Sequence, residues 1–402
     1  MRIREFIGKH NLSPSGIPAQ ECLEQLLRQM ELGLAGKGKI PMIPSYLSFD
    51  IRPEAEKPCC VMDAGGTNLR IAKAVFATDG TCRLEDIQKT AMPGTVGELS
   101  AEAFYNSLAA YAKSTGAAGR IGLCFSYNVL LDRHLDGILD SWCKEVRVPD
   151  APGKPVGASL RQAIGDDCQH ICVLNDSVAA LLGGHSSDPE VTLGLILGTG
   201  INICYSEASR NIPKLPADIQ GSSVIISTEI GEFDGFPKST FDEAVIRESD
   251  EPTMAHAEKQ CAGAYLGKVI RFAWQEAARS GLIAEQFLRP VTLPEISSYL
   301  HKANTDLPDD PGATEIAATI IHRAAKIAAI LTAGAIVKSG AAGRPCSMII
   351  EGSQYWKLTG FAEWFDLELR SVLQPYGTDV SVVKAENSCL LGAALAAFAK
   401  PM

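Results

Sequence analysis

The sequence has no surplus of positive charge. Its 37 lysines and arginines are outnumbered by 47 aspartates and glutamates, so the formal net charge is -10 at pH 7. Proteins that bind nucleic acid or anionic membranes through broad electrostatic attraction usually present a basic face. We therefore expect neither nucleic acid nor a membrane as a partner, and any phosphate ligand must be held by local groups.

Long apolar targeting or membrane segments are also lacking. Residues 1–11 contain charges but no apolar region typical of a signal peptide, and the apolar run 327–337 is too short to cross a bilayer. The 12 cysteines are scattered, and Cys168, His170 and Cys172 have no second ligand pair at zinc-finger spacing. Scattered cysteines in apolar runs are typical of buried thiols in a reducing compartment, so we expect a cytoplasmic protein.

The composition is that of a folded protein with more than one core. Hydrophobic residues make up 46% of the chain and charged residues 21%, far from the composition of disordered proteins. A length of 402 residues exceeds that at which a single hydrophobic core stops growing. We therefore expect two domains.

Apolar periodicity predicts alternating strands and helices. An amphipathic helix is expected over 18–34, followed by an extended loop over 36–46. Short apolar runs typical of strands alternate with longer helical patterns, which indicates an α/β protein. The further predicted helices span 101–113, 255–279, 315–337 and 361–373.

Two glycine turns have the same sequence pattern. The apolar run 59–62 ends at Asp63, residues 65–67 form the first glycine turn, and the apolar run 69–76 follows. The second glycine turn, 198–200, lies between the apolar runs 191–197 and 201–205. In Walker and Rossmann motifs the glycine turn leads from a strand into a helix. Here each glycine turn lies between two predicted strands, so the sequence disfavours both of these nucleotide-binding folds. The repetition suggests a duplicated architecture.

Glycine turns expose backbone amides that can point together at phosphate oxygens. Asp63, at the end of the first strand, is suited to hold Mg2+ through water, and Arg70 is a candidate charge partner for phosphate. The alternative is that each turn is only a hairpin, since glycine turns are common.

A third candidate segment is formed by Asn175, Asp176 and Ser177, which follow the apolar run 171–174. Polar residues at the carboxyl end of a buried strand project into the crevice where α/β proteins bind ligands. Asp176 is therefore a candidate general base. The alternative is a helix N-cap, a position that favours all three residue types.

Four further polar residues are candidates that spacing alone would not select. Ser126 follows the apolar run 121–125, and Lys144 follows in the next loop, where its ammonium group could contact a hydroxyl or a phosphoryl group of a ligand. The other two are Glu229, within the segment 227–230, and Glu258, beside Lys259. For Lys144, Glu229 and Glu258 the alternative is an ordinary solvated side chain.

Taken together, and in this order between residues 41 and 398, the motifs resemble those of the eukaryotic-type hexokinase family, which includes bacterial members. The first and second glycine turns resemble its two phosphate motifs, and the segment around Asp176 resembles the one holding its catalytic aspartate. The matching segments are 63–70, 122–126 with 136–144, 174–177, 194–205, 228–231, 258–267 and 351–355.

The resemblance implies an α/β protein with the duplicated actin-like ATPase (ribonuclease H-like) fold, in which two domains surround a cleft. The small domain would comprise 58–174 plus 388–402, and the large domain 1–57 plus 175–387. A monomer or a homodimer is expected.

The resemblance also implies the roles of individual residues. Asp176 and Lys144 would be catalytic, and Asp63 would hold the metal. The hexose would contact Ser126, Cys143, Asn175, Asn202, Glu229 and Glu258. ATP would contact Gly65, Gly66, Thr67, Asn68, Arg70, Gly198, Thr199, Gly200, Gly352 and Ser353.

Departures from the family pattern border the expected sugar site. Cys143, a weak hydrogen-bond donor, stands where the family usually has threonine. Tyr127 and Asn128 replace a Phe-Pro pair, and Ser227 replaces an asparagine. These changes bear on which hexose is preferred.

The implied activity is transfer of the γ-phosphate of MgATP to the 6-hydroxyl of a hexose, with glucose the expected substrate and glycolysis the expected setting. ATP and Mg2+ are the expected cofactors. Two other classes stay open: a hexose-binding regulator that has lost catalysis, and another actin-like ATPase such as an acyl-phosphate-forming kinase or a chaperone.

Overall fold

The computed structural model describes residues 2–142, 146–219, 223–303 and 305–402. Its strands are β1 Ile43–Pro44, β2 Pro58–Ala64, β3 Asn68–Phe76, β4 Cys82–Ala91, β5 Arg120–Phe125, β6 Asn128–Leu131, β7 Gly137–Ser141, β8 His170–Leu174, β9 Val191–Leu197, β10 Ile201–Ala208, β11 Ser223–Ser227, β12 Cys346–Glu351 and β13 Val380–Val383. Its α-helices are α1 Ile3–Lys9, α2 Ala19–Leu34, α3 Ala101–Ser114, α4 Val156–Ile164, α5 Asp176–Ser187, α6 Thr240–Arg247, α7 His256–Cys261, α8 Gly263–Arg279, α9 Leu293–Leu300, α10 Pro311–Lys338, α11 Ser353–Lys357, α12 Phe361–Leu373 and α13 Ser388–Ala396.

Two sheets share one strand order. The first sheet runs β4-β3-β2-β5-β8, and the second runs β11-β10-β9-β12-β13 with β1 added at the edge. In each sheet three antiparallel strands are followed by two parallel ones. The central strand, β2 or β9, leads into a glycine turn. This repetition confirms the predicted duplication.

Most of the predicted elements are confirmed, with local differences. The expected helix over 255–279 is two helices, because Ala262 between α7 and α8 has an extended backbone. The expected loop 36–46 contains β1, which pairs with β11. In both places contacts distant in the sequence decide the local conformation.

Helix α10, Pro311–Lys338, is a few residues longer than the helix predicted over 315–337. It has 28 residues and is long and apolar enough to cross a membrane, but 83% of its most apolar segment is buried inside the protein. Asp310 caps its first turn by accepting hydrogen bonds from Gly312 N and Ala313 N. Burial against α2, α8 and α12 accounts for the apolar composition.

Helices α5 and α13 connect the two sheets. Helix α5 follows β8 of the first sheet but packs on β9 and β12, whereas α13 follows β13 of the second sheet but packs on β2 and β5. The two helices also pack closely against each other: a Cβ on Gly392 would lie 1.9 Å from Ala179 O. Each sheet is therefore tied to the helix that continues the other.

Buried hydrophobic residues form three clusters. One lies between the second sheet and helices α2, α8, α10 and α12, and another lies between the first sheet and helices α3 and α4. The third contains α5, α13 and the strand faces that they cover. We propose the division into 58–174 plus 388–402 and 1–57 plus 175–387, in which each domain has its own core and the third cluster joins them.

Candidate functional site

Asp176 is the first residue of α5, directly after β8. The N-cap is Asn175, whose Oδ1 accepts hydrogen bonds from Ser177 N at 2.8 Å and Ser177 Oγ at 2.7 Å. Asp176 Oδ1 also accepts from Ser177 N, at 2.9 Å. The residue that caps helix α5 is therefore Asn175 and not Asp176. The cap uses Asn175 Oδ1, while Asn175 Nδ2 takes no part in these hydrogen bonds.

The charge of Asp176 acts on two glutamates. Burial raises the pKa of Glu229, which follows β11, and the pKa of Glu351, which ends β12, and the charge of Asp176 adds to both shifts. The carboxylate of Asp176 therefore lies within electrostatic range of both glutamates. This places it where the polar ends of β8, β11 and β12 meet.

Asn202, Ser227 and Glu229 form a hydrogen-bonded group beside Asp176. Asn202 Nδ2 donates to Ser227 Oγ at 2.9 Å and to Glu229 Oε1 at 2.6 Å, and Ser227 Oγ donates to the same carboxylate oxygen at 3.0 Å. Asn202 Oδ1 accepts from Glu229 N at 3.0 Å. Ser227 Oγ lies 3.4 Å from Ser177 Oγ, so the group extends to the start of α5.

Glu229 is held in an unusual state. Burial raises its pKa to about 7, and the charges of Asp176 and Glu258 act in the same direction against hydrogen bonds from Ser227 and Asn202. Its backbone is left-handed, with φ 54°, a conformation that residues other than glycine rarely adopt. Strain and a raised pKa together are typical of functional positions.

Glu258, on α7, contacts the end of the second glycine turn. Its Oε2 accepts a hydrogen bond from Ile201 N at 3.0 Å. A Cβ on Gly200 would lie 2.5 Å from the same oxygen, so only glycine lets the carboxylate approach the turn this closely. A predicted sugar ligand therefore also supports a predicted phosphate turn.

The first glycine turn is held by strand pairing and by two contacts from outside the hairpin. Gly65 N donates to Asn68 O, and Met92 N donates to Thr67 O, each at 3.0 Å. Tyr127 Oη donates to Gly65 O at 2.6 Å. Tyr127, expected to border the sugar, is thus bonded to the first glycine turn, which also contains Gly66.

Asp63 and Arg70 face each other on β2 and β3. Arg70 Nε and Nη2 donate to Asp63 Oδ2 at 2.8 and 2.6 Å, and Arg70 Nη1 donates to Asn387 Oδ1 at 3.3 Å. Beside them, Ser388 Oγ donates a short hydrogen bond to Glu351 Oε1. The start of α13 is thus bonded to the first sheet through Arg70 and to the second sheet through Glu351.

A magnesium ion would need ligands from water and phosphate as well as from the protein at this arrangement. Within the described ranges, no group of three or more His, Cys, Asp or Glu side chains could hold a metal ion by itself. Mg2+ commonly binds through one or two carboxylates, with water and substrate phosphates completing its shell. Asp63 suits that mode, and Asp63 and Asp176 are both close enough to Glu351 to help raise its pKa.

The second glycine turn is enclosed by two other segments. Gly263 N and Ala264 N at the start of α8 donate to Gly198 O and Thr199 O at 2.8 and 3.1 Å. Gly352 has φ 117°, and a Cβ there would lie 2.3 Å from Leu197 O. Ser353 follows at the start of α11. The turn and Gly352–Ser353 are therefore adjacent, as one nucleotide spanning both would need.

The remaining predicted residues divide into described and undescribed ones. Ser126 is 8% exposed, and its N donates to Ala64 O at 3.2 Å, next to the first glycine turn. Cys143 and Lys144 lie outside the described residues. A separate cavity of about 710 Å3, lined in part by His134, Asp136 and Arg161, contains none of the predicted site residues.

Sequence reasoning assigned no role of their own to several residues at this site. Glu351 was noted only within the matching segment 351–355, although it ends β12 and the carboxyl-end rule applied to β8 would have made it a candidate. Ser227 and Tyr127 were noted only as departures from a family pattern, although each makes a hydrogen bond within the site. Gln354, a buried residue next to Ser353 whose Nε2 donates to Cys261 O at 2.6 Å, gave no signal in the sequence.

Comparison with known protein families identifies the family to which this arrangement belongs. Two models described as hexokinase match, one over residues 3–186 and the other over 192–310 and 293–399. Among curated relatives, Hexokinase-7 of Oryza sativa subsp. japonica is 29% identical over 421 residues, covering 92% of this chain and 91% of that protein. Hexokinase-2 of Candida albicans is 27% identical over 427 residues, covering 93% and 87%.

Solved structures share the fold. The hexokinase from Schistosoma mansoni complexed with glucose aligns with a TM-score of 0.81 at 20% identity, covering 99% of this chain and 100% of that one. A ROK family glucokinase from Streptomyces griseus, in complex with glucose and AMPPNP, aligns with a TM-score of 0.52 at 18% identity, covering 84% and 98%. The predicted duplicated actin-like ATPase fold is thus confirmed. The chain belongs to the hexokinase family and is a kinase that phosphorylates hexoses.

Proposed function

We propose that the protein transfers the γ-phosphate of MgATP to the 6-hydroxyl of a hexose, with glucose as the preferred substrate and Asp176 as the base. The observation that carries this proposal is the position of Asp176 just after β8, beside the contact between Ser177 Oγ and Ser227 Oγ and within electrostatic range of Glu229 and Glu351. A carboxylate placed between a sugar site and a nucleotide site can accept the proton of the attacking hydroxyl.

The hexose would lie against the group formed by Asn202, Ser227 and Glu229, with Asn175, Ser126 and Glu258 around it. Amide and carboxylate groups in fixed positions suit the hydroxyls of a sugar, because each hydroxyl both donates and accepts. Lys144 and Cys143 complete the proposed set. Glucose also accompanies both of the solved structures named above, which supports it as the first sugar to test.

ATP would lie against the two glycine turns and Gly352–Ser353. The adjacency of the second turn to Gly352 supports this, as does the AMPPNP in the Streptomyces griseus glucokinase. Bound MgATP supplies the phosphoryl group, and Asp63 would hold the ion through water. Backbone amides, Arg70 and Lys144 would stabilise the charge that develops during transfer.

The decisive experiment replaces Asp176. We expect Asp176→Asn to bind hexose with near wild-type affinity, because size and polarity are kept, and to lose turnover by roughly 100-fold or more, since general-base catalysis contributes about 100- to 10,000-fold. A coupled assay for ADP measures kcat, and calorimetry measures the Kd of glucose. Asp188→Asn, at the C-terminal end of the same helix, should leave both unchanged. Near wild-type kcat in Asp176→Asn would remove the proposed base.

A sugar panel separates the remaining alternatives. ADP formation is measured with glucose, mannose, fructose and glucosamine, each against a sugar-free control. A regulator without catalysis would bind a hexose but form no hexose-dependent ADP. An actin-like ATPase with another substrate would form ADP at a rate that no hexose changes. We further propose a cytoplasmic location and a monomeric or homodimeric state.

A further inference from the structure

Gln354 is the second residue of helix α11 and directly follows Gly352–Ser353. Its polar side chain is buried. It is 3% exposed. Its Nε2 donates to Cys261 O, the last residue of α7, at 2.6 Å. Its Oε1 has no hydrogen-bond partner among the described residues. Burying an amide oxygen without a hydrogen-bond partner lowers the stability of the folded protein. A buried group of this kind therefore needs an explanation, and a role in function is one.

The contact made by Gln354 closes a ring of backbone segments. Helix α7 ends at Cys261, and α8 begins two residues later with Gly263, whose N donates to Gly198 O of the second glycine turn. A Cβ on Gly263 would lie 2.6 Å from Gly198 O and 3.4 Å from Gln354 Oε1. The second glycine turn, the α7–α8 junction and Gln354 are therefore packed together without space for one more methyl group.

The same ring reaches the proposed sugar site through α7. Glu258 lies one turn before Cys261 on this short helix, and its Oε2 accepts from Ile201 N, directly after the second glycine turn. The chain of contacts thus runs from Ser353 and Gln354 to Cys261, to Glu258, and back to the turn. Apart from the half-buried side chain of Glu258, its links are backbone groups and the buried side chain of Gln354, whose close packing limits their relative movement.

We propose that Gln354 is a positioning residue that holds Gly352–Ser353, the second glycine turn and Glu258 as one preformed frame for nucleotide and hexose. Gln354 touches neither substrate. It fixes α7 through Cys261 O, so that loosening the nucleotide segment also loosens Glu258. This proposal rests on the assignment of these segments to ATP and hexose made above, and it predicts that one substitution weakens the binding of both.

The test uses the full-length protein and Gln354→Met, which keeps the size of the side chain but cannot donate to Cys261 O. Calorimetry measures the Kd of ATP alone and of glucose alone, and the ADP assay measures KM and kcat. We expect the Kd of ATP to rise about tenfold and that of glucose several-fold, since loss of one buried hydrogen bond leaves the carbonyl unsatisfied. The kcat should stay within about threefold, because Asp176 lies on α5 outside the frame.

Tyr299→Phe is the matched control, because it also removes a side-chain donor from a backbone carbonyl, Asp310 O, but at the start of α10. It should lower the melting temperature without changing either Kd. If Gln354→Met fails to fold, Gly263→Ala attacks the same junction from the other side and should show the same paired loss. A change in one Kd only, or in stability only, overturns the proposal.

The binding measurements also keep this proposal separate from the proposed function. Wild-type protein that binds ATP and glucose but forms no ADP would refute the function, while the paired change in Kd would still be observable. Wild-type protein that binds neither ligand would refute both. Unchanged Kd values in Gln354→Met together with normal wild-type turnover would refute the positioning role alone.

Discussion

The two glycine turns have the same local sequence pattern and the same place in their sheets, yet they are held differently. The first turn is held by its own strand pairing, by Met92 N and by the hydroxyl of Tyr127. The second is held by the first amides of α8, by Glu258 and by the close approach of Gly352.

The difference shows how a duplicated fold produces two unequal sites. The second turn is bonded to α7 and α8, and its contacts include a proposed sugar ligand, whereas the first is supported from outside its hairpin by Met92 N and one side chain. We infer that the second sheet carries the preformed part of the site. The first turn is the part that can adjust when the proposed domains close over substrate.

The largest expected effect is on stability, when a glycine beside the second turn and a glycine in the first turn are each replaced by alanine. Gly352→Ala places an alanine in backbone space that is essentially restricted to glycine and drives its Cβ against Leu197 O. We expect it to lower the free energy of unfolding by roughly 2–3 kcal/mol and to raise the KM for ATP. Gly65→Ala, whose Cβ would lie 3.3 Å from Asn68 O, should cost under about 1 kcal/mol. Urea unfolding measures both, and equal losses would remove the distinction between the turns.

An intermediate effect is expected on the pH dependence of activity, because one carboxylate of each sheet has a different partner. Asp63 is paired with Arg70, whereas the hydrogen bonds that reach the Glu229 carboxylate come from neutral groups, and its pKa is raised to about 7. A raised pKa means that Glu229 is mostly protonated at pH 6 and ionised at pH 8. If the ionised form binds hexose, kcat/KM should rise about tenfold over that range.

The control for the pH profile is Glu229→Gln, which cannot ionise. Its kcat/KM for hexose should be lower than that of the wild type and nearly flat between pH 6 and pH 8. An unchanged slope in this variant would assign the titration to another group.

The smallest expected effect tests the side chain that supports the first turn. Tyr127→Phe removes the hydrogen bond to Gly65 O and keeps the ring that packs against Phe125 and Trp142. The loss of about 0.5–1.5 kcal/mol should raise the KM for ATP a few-fold. The Kd of glucose measured without ATP should stay the same. An equal effect on glucose would mean that Tyr127 acts at the sugar after all.

Several features of the fold and site were readable from the sequence because they depend on near neighbours in the chain. Apolar runs, the glycine turns and the polar residues after β8 predicted the strand–turn–strand units and Asp176. The contact between Asp63 and Arg70 could also have been foreseen, since the two residues pair directly across β2 and β3. Instead Arg70 was assigned only to phosphate.

Other features could not be read locally. The break between α7 and α8 falls at Ala262, a residue with no tendency to end a helix, and it depends on the bonds from Gly263 and Ala264 to the second glycine turn. The raised pKa of Glu229 depends on burial and on Asp176, which lies 53 positions earlier in the chain. Neither has a signal in the flanking sequence.

The sequence by itself determined the two hairpins, their glycine turns and the carboxylates at strand ends, because backbone preference and apolar periodicity act over a few residues. Only the tertiary structure decided which turn is bonded to α8, which glutamate lies in the hydrogen-bonded group beside Asp176 and which buried amide contacts the end of α7. Those outcomes depend on packing between residues far apart in the chain, where close contact and exclusion of water determine the energies.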